Sequence, residues 1–120
     1  MLCSHVLEHV PDDRRAMREM ARVLRGDGLY IVQSPVNYEQ TGGTYEDVAV
    51  TDAKERMRRF SQRDHVRVYG PDLCERLEEA GFDVTVEPYF ERFDEETIDR
   101  LVLAPWLGPI RNDLYCCAIR

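Results

Sequence analysis

Apolar and polar residues alternate along this chain at periods that change from segment to segment. Leu2-Cys3-Ser4 reads as the tail of a strand. Pro11-Asp12-Asp13 signals a helix start, with acids near the positive end of the helix dipole. Ala16, Met17, Met20, Ala21, Val23 and Leu24 then recur at helical spacing, and Arg14, Arg15, Arg18, Glu19, Arg22 and Arg25 fill the other face. Gly26-Asp27-Gly28 is expected to stop this helix through a left-handed glycine cap. Leu29-Tyr30-Ile31-Val32-Gln33 is a nearly unbroken apolar run, which predicts a strand buried on both faces, as in a parallel sheet. Ser34-Pro35 ends it.

Residues Val36 to Thr51 are polar and contain Gly42-Gly43, a pattern that predicts a loop or lid. Asp52 to Phe60 reads as a helix with Met57 and Phe60 facing inward. The stretch Asp64 to Gly70 leads into Pro71 at a helix start. Leu73, Leu77 and Ala80 give that helix its apolar stripe, and Gly81 caps it. Phe82 to Pro88 alternates like a half-exposed strand, Asp94 to Leu103 reads as a short helix, and Asp113 to Ile119 as a closing strand. The order β-α-β-α-α-β-β predicts an α/β sheet whose last two strands are antiparallel.

The 120 residues are enough for one domain, and 43% hydrophobic content supports a real core. The net charge of −7 disfavours nucleic acid, whose phosphates need a basic surface. No apolar run approaches the ~20 residues that span a bilayer. The N-terminal residues carry no basic segment followed by an apolar one, so no membrane partner and a cytoplasmic location are expected. Cys3, Cys74, Cys116 and Cys117 contain no C-x-x-C pair and are expected to be reduced, mostly buried thiols.

Cys3-Ser4-His5-Val6-Leu7-Glu8-His9-Val10-Pro11-Asp12 resembles the stretch after the fourth strand of class I S-adenosylmethionine-dependent methyltransferases of the type 11-like kind. A helix, a glycine turn (Gly26-Asp27-Gly28) and a fifth strand (Leu29 to Gln33) follow in the family's order. Glu79-Ala80-Gly81-Phe82 is similar to the family's entry into its sixth strand. The resemblance covers most of residues 2 to 87. It implies a partial Rossmann-like methyltransferase fold, strands four to seven with flanking helices, whose mixed sheet has an antiparallel last strand. Residues 1–120 would then be the C-terminal portion of the domain.

In that family a glycine-rich turn after the first strand holds the methionine end of the cofactor, and an acid after the second strand binds the ribose. Neither element is present here. The sole G-x-G, Gly26-Asp27-Gly28, follows a helix and precedes a strand, the wrong order for a cofactor loop. The resemblance therefore implies S-adenosylmethionine as cofactor, with weak or absent binding by this chain alone. The edge beside the first strand would expose backbone and apolar groups. Self-association or a partner covering that edge is expected.

Methyl transfer is an in-line displacement, so alignment dominates, and a base assists when the acceptor is a hydroxyl or amine. The resemblance puts Ser4 and His5 beside the cofactor's methionine portion, as cofactor contacts, with His5 also a catalytic candidate. Pro35 and Tyr38, leaving the fifth strand after Ser34, are candidates for a small-molecule substrate. His65 is the second catalytic candidate, because a neighbouring Asp64 can hold an imidazole in the tautomer that abstracts a proton. Arg67 and Tyr69 share its side if the stretch is extended, and are further substrate candidates. The segments Val36 to Thr51 and Tyr89 to Pro109 are expected to shape acceptor choice.

Two other readings compete. One is a non-catalytic methyltransferase-like fragment or interaction module. The other is a zinc hydrolase, because His5-Val6-Leu7-Glu8-His9 matches H-x-x-E-H. On a helix His5 and His9 would share a face and bind one ion, with Glu8 as base. Pro11 would cut that helix short, so no metal ligand is assigned in the leading reading. The five arginines between Asp12 and Arg25 are offset by Asp12, Asp13 and Glu19 and read as a solvated face.

Overall fold

The computed structural model describes residues 1–101, the backbone of 106–107, and residues 110–120. Its centre is a mixed four-stranded sheet built from β1 (Leu2–Ser4), β2 (Leu29–Gln33), β6 (Phe82–Glu87) and β9 (Leu114–Ile119). Their spatial order is β1-β2-β9-β6. β1 and β2 are parallel, with Cys3 opposite Val32, and β9 runs antiparallel to both β2 and β6. The expected antiparallel closing strand is therefore present, inserted between its neighbours rather than added at the end.

Helices α1 (Asp13–Val23) and α3 (Leu73–Glu79) supply the helical side of the core. Met17, Leu73 and Leu77 pack with Cys3, Tyr30, Val32, Phe82, Tyr115 and Cys117. The opposite sheet face is open. Leu29, expected to be buried, is 50% exposed, while Tyr30 and Val32 are fully covered. β2 is thus buried on one face only, because no layer packs on the other among the described residues.

Several local expectations need correction. α1 ends at an extended Leu24, whose N–H donates to Met20 O, and neither Gly26 nor Gly28 is left-handed. Gly28 serves close approach instead: a Cβ there would lie 2.8 Å from the Leu24 side chain. Gly81, at φ +106°, does end α3 in the left-handed region. α2 (Ala53–Phe60) starts at Asp52, whose carboxylate accepts from the amides of Lys54 and Glu55. Phe60 is buried against Tyr45, but Met57 is 46% exposed and faces outward. The short α4 (Glu95–Leu101) is present, and the predicted end of that helix at Leu103 lies outside the described residues.

The expected loop from Val36 to Thr51 is pinned down by two short strands, β3 (Val36–Asn37) and β4 (Tyr45–Glu46). β4 pairs with β5 (Arg67–Val68), and β3 with β8 (Ile110–Arg111), which in turn pairs with the backbone of β7 (Trp106–Leu107). Gly70 fixes the first of these contacts: a Cβ there would stand 2.6 Å from the carbonyl carbon of Gly43 and 2.9 Å from its oxygen. Gly70→Ala would force two backbones apart, and is expected to cost about 1–3 kcal/mol, as overpacking does. Urea unfolding of the variant measures this, and an unchanged midpoint would refute it.

Candidate active site

The carboxyl ends of β1 and β2 lie side by side, the edge at which open α/β sheets bind ligands. His5 follows β1. Its amide donates to Gln33 O at 2.9 Å, and its backbone then turns into the left-handed region at φ 53°. That conformation costs a non-glycine residue about 1–3 kcal/mol and is found where surrounding structure enforces it. The turn throws the chain off the sheet into a single 3-10 turn, Leu7–His9. Because this turn is not an α-helix, His5 and His9 do not share a helical face as the H-x-x-E-H reading requires.

Glu8 points inward and is 2% exposed. Its Oε2 accepts from the buried Ser34 hydroxyl at 2.5 Å. Its Oε1 has no hydrogen-bond partner, although His5 Nδ1 stands 3.3 Å away without the alignment of a hydrogen bond. A cavity of about 280 Å³ opens beside this carboxylate. Of the expected site residues, His5, Pro35, His65 and Arg67 line it. Glu8, Phe60, Ser61, Gln62, Ile110 and Asn112 complete most of the wall and were not singled out for this site from sequence. Glu8 carried a readable signal, an acid inside a histidine-flanked motif. The others come from distant segments, and no local pattern marks them.

His65 is buried, and its Nδ1 lies 3.2 Å from Phe60 O. Burial, helped by nearby His9, holds its imidazole pKa below the ordinary value. Asp64 does not orient His65: its carboxylate reaches His9 Nδ1 at 3.3 Å. The extended alternation of this stretch does hold, for His65, Arg67 and Tyr69 are all buried while Val66 and Val68 are partly exposed.

Ser4 is exposed and donates to Gln33 Oε1 across the strand pair. Tyr38 lies away from the cavity wall, with its hydroxyl donating to Asp113 at 3.0 Å and meeting the Tyr115 hydroxyl. Tyr69 is fully buried, and its hydroxyl donates to Asp13 at 2.8 Å. Burial and the Asp13 charge raise its pKa. Arg67 touches the cavity, but its guanidinium is directed elsewhere. Nη1 donates to the carbonyls of Leu7 and Val10, Nη2 to that of Pro11, and Nε to Glu46. The substrate roles expected of Tyr69 and of the Arg67 head group thus meet side chains already engaged in the interior.

These groups belong to a buried ionic cluster. Asp13 accepts from Tyr69 and from Arg76, and Arg76 also reaches Glu46 and Asp72. Both guanidiniums stand over the Tyr69 ring, 5.8 Å (Arg67) and 5.9 Å (Arg76) from its centroid. The cluster clamps the Leu7–His9 turn, and with it Glu8 and His9, to α3 and β5.

None of the four cysteines forms a disulfide, and Cys3 and Cys117 are buried. No described helix is long and apolar enough to cross a membrane.

Comparison with known proteins accords with this geometry. A family model described as a methyltransferase domain matches residues 1–87. The [4+2]-cyclase SpnF has a similar structure, with a TM-score of 0.57 and 17% identity, over 98% of this chain and 49% of that one. Phosphoethanolamine N-methyltransferase 2 of Haemonchus contortus, solved with S-adenosyl-L-methionine, has a TM-score of 0.54 and 17% identity, over 99% of this chain and 32% of that one. At such identity these likenesses show the Rossmann-like fold alone, and the chain spans half or less of the length of either structure. No curated protein matches the chain in sequence. With its family model covering well over half of its residues, the chain belongs to the methyltransferase-domain family.

Proposed function

We propose that these 120 residues form the acceptor-side half of an S-adenosylmethionine-dependent methyltransferase pocket that acts on a small molecule. The observation that carries this reading is the cavity at the carboxyl ends of β1 and β2, bordered by a buried carboxylate and two histidines. The fit to the cofactor is partial. The left-handed turn at His5 and the exposed Ser4 leave space where β1 ends, but nothing among the described residues grips a ribose. Bound there, the cofactor would supply an electrophilic methyl group. The chain's own task is to exclude water, orient the acceptor against Pro35 and Phe60, and receive its proton at His5 or His65. The acidic balance of the chain favours a small acceptor over nucleic acid.

The adenosine end then falls to a polypeptide with the first three strands of the fold, adding to the free edge of β1. Leu2 at 71% exposure supports this, as does the absence of any strand on the outer side of β1 among the described residues. Calorimetric titration with S-adenosylmethionine, with and without such an N-terminal half supplied in trans, is the test. The chain alone should give no binding, and the two halves together roughly micromolar binding. Micromolar binding by the chain alone would overturn the shared pocket. No binding by the two halves together would leave a non-catalytic interaction module.

A further inference from the structure

Glu8, His9 and His65 bring one carboxylate oxygen and two imidazole nitrogens together, each within 4.8 Å of the others. We infer that these three side chains form a binding site for a divalent transition-metal ion of the zinc class, set in the wall of the cavity.

Two observations beyond the clustering point to a cation. The first is the state of Glu8. A carboxylate 2% exposed needs compensation for its lost hydration; Ser34 supplies it at Oε2, while at Oε1 the half-exposed His5 ring stands 3.3 Å off without donating a hydrogen bond. Oε1 is buried with no hydrogen bond. A metal ion would supply the missing positive charge. The second is the orientation of the histidines. Metal-bound imidazoles are usually held by an acceptor on the nitrogen that does not coordinate. Here Phe60 O lies 3.2 Å from His65 Nδ1, and the Asp64 carboxylate lies 3.3 Å from His9 Nδ1. The Phe60 carbonyl can only accept, so its hydrogen bond fixes the proton on His65 Nδ1 and leaves the Nε2 lone pair to coordinate; the Asp64 carboxylate favours the same tautomer of His9 by its charge, without hydrogen-bond alignment. The two rings meet edge-on with centroids 4.7 Å apart, close enough to serve one ion.

The donor set decides the class of metal. Two nitrogens and one carboxylate oxygen suit borderline ions such as zinc, and disfavour magnesium or calcium, which take mainly oxygen. Tetrahedral ligands about 2.0–2.1 Å from zinc stand about 3.3 Å apart, so binding must draw the three groups together by rotamer adjustments of an ångström or so. Three protein ligands leave a fourth position for water or an acceptor oxygen, as in catalytic rather than structural zinc sites. His65, from the connector before β5, takes the place that the linear motif would give to His5. The inference rests on these side chains alone and does not depend on the methyltransferase reading; in a metal-loaded chain the proton-accepting role falls to His5, since both nitrogens of His65 are engaged.

The chelator-treated chain should be titrated with Zn2+ by calorimetry and with Co2+ by visible absorption. One ion per chain is expected, with a tetrahedral cobalt spectrum and a raised melting temperature. His65→Ala should weaken zinc binding by more than about 100-fold, and the exposed Asp64→Asn by about 10–100-fold, the range for outer-shell partners. His9→Gln, at a partly exposed position, serves if His65→Ala fails to fold, and should also weaken binding by more than about 100-fold. The site is overturned if the folded wild-type chain takes up no stoichiometric metal, or if folded His9→Gln binds zinc as tightly as wild type. Neither outcome bears on cofactor binding, which the two-half titration reads separately.

Discussion

Arg67→Met is expected to lower the free energy of unfolding by about 3–5 kcal/mol, the range for removing one partner from a buried ionic cluster. Arg67 is 1% exposed, and methionine fills much of the same volume without charge or donors. The substitution removes the donor to the carbonyls of Leu7, Val10 and Pro11 together, and leaves Asp13 with Arg76 as its remaining guanidinium. A domain of this size commonly has only about 5–15 kcal/mol in total, so the variant should unfold at a much lower urea concentration. Arg67→Lys should recover only part of the loss, because an ammonium is a point charge and cannot span three carbonyls as a planar fork does. The Leu7–His9 turn should loosen as well, which would also impair the site that Glu8 and His9 help to form. A midpoint within error of wild type for Arg67→Met would show that the clamp contributes nothing net.

Phe82→Ala should have an effect of similar size, about 3–5 kcal/mol, for a different reason. Phe82 opens β6 and is fully buried, with its ring centroid 5.4 Å from that of Tyr30 on β2. It lies on the sheet face covered by α1 and α3, so truncation leaves a cavity that neighbours on a hydrogen-bonded sheet close only in part. Leu29→Ala is the matched comparison. Leu29 sits on the open face and is half exposed, so its loss should stay within about 0.5 kcal/mol, as for ordinary surface positions. Parallel urea titrations of the two variants measure the asymmetry of the sheet. Equal costs would mean that the second face is covered in solution.

Much of the architecture was readable from local pattern. The helical spacing from Ala16 to Leu24, the apolar run from Leu29 to Gln33 and the stripe of Leu73 and Leu77 all became the expected elements. Phe82 to Thr85 alternate as predicted, because one face of β6 is covered and the other faces solvent, but Val86, on the covered side, is 38% exposed. The site was readable in part. His5 and Pro35 line one cavity because each follows a strand at the same edge of the central sheet, and His65 reaches it from the connector before β5. Asp13 and Arg76 were not legible as a cluster. An acid in the first turn of a helix and an arginine in the last turn of another look like ordinary dipole partners, and only their meeting across α1 and α3 buries them.

Sequence alone determined element type, since side-chain period and turn chemistry are local properties of the chain. It also determined the order of segments, along residues 1–87, that the methyltransferase-domain family shares. Tertiary structure decided which charges are buried, which sheet face stays open, and which histidine stands beside Glu8. Those outcomes depend on contacts between residues as distant as His9 and His65, and a linear motif holds no information about which distant group will fill the space beside it.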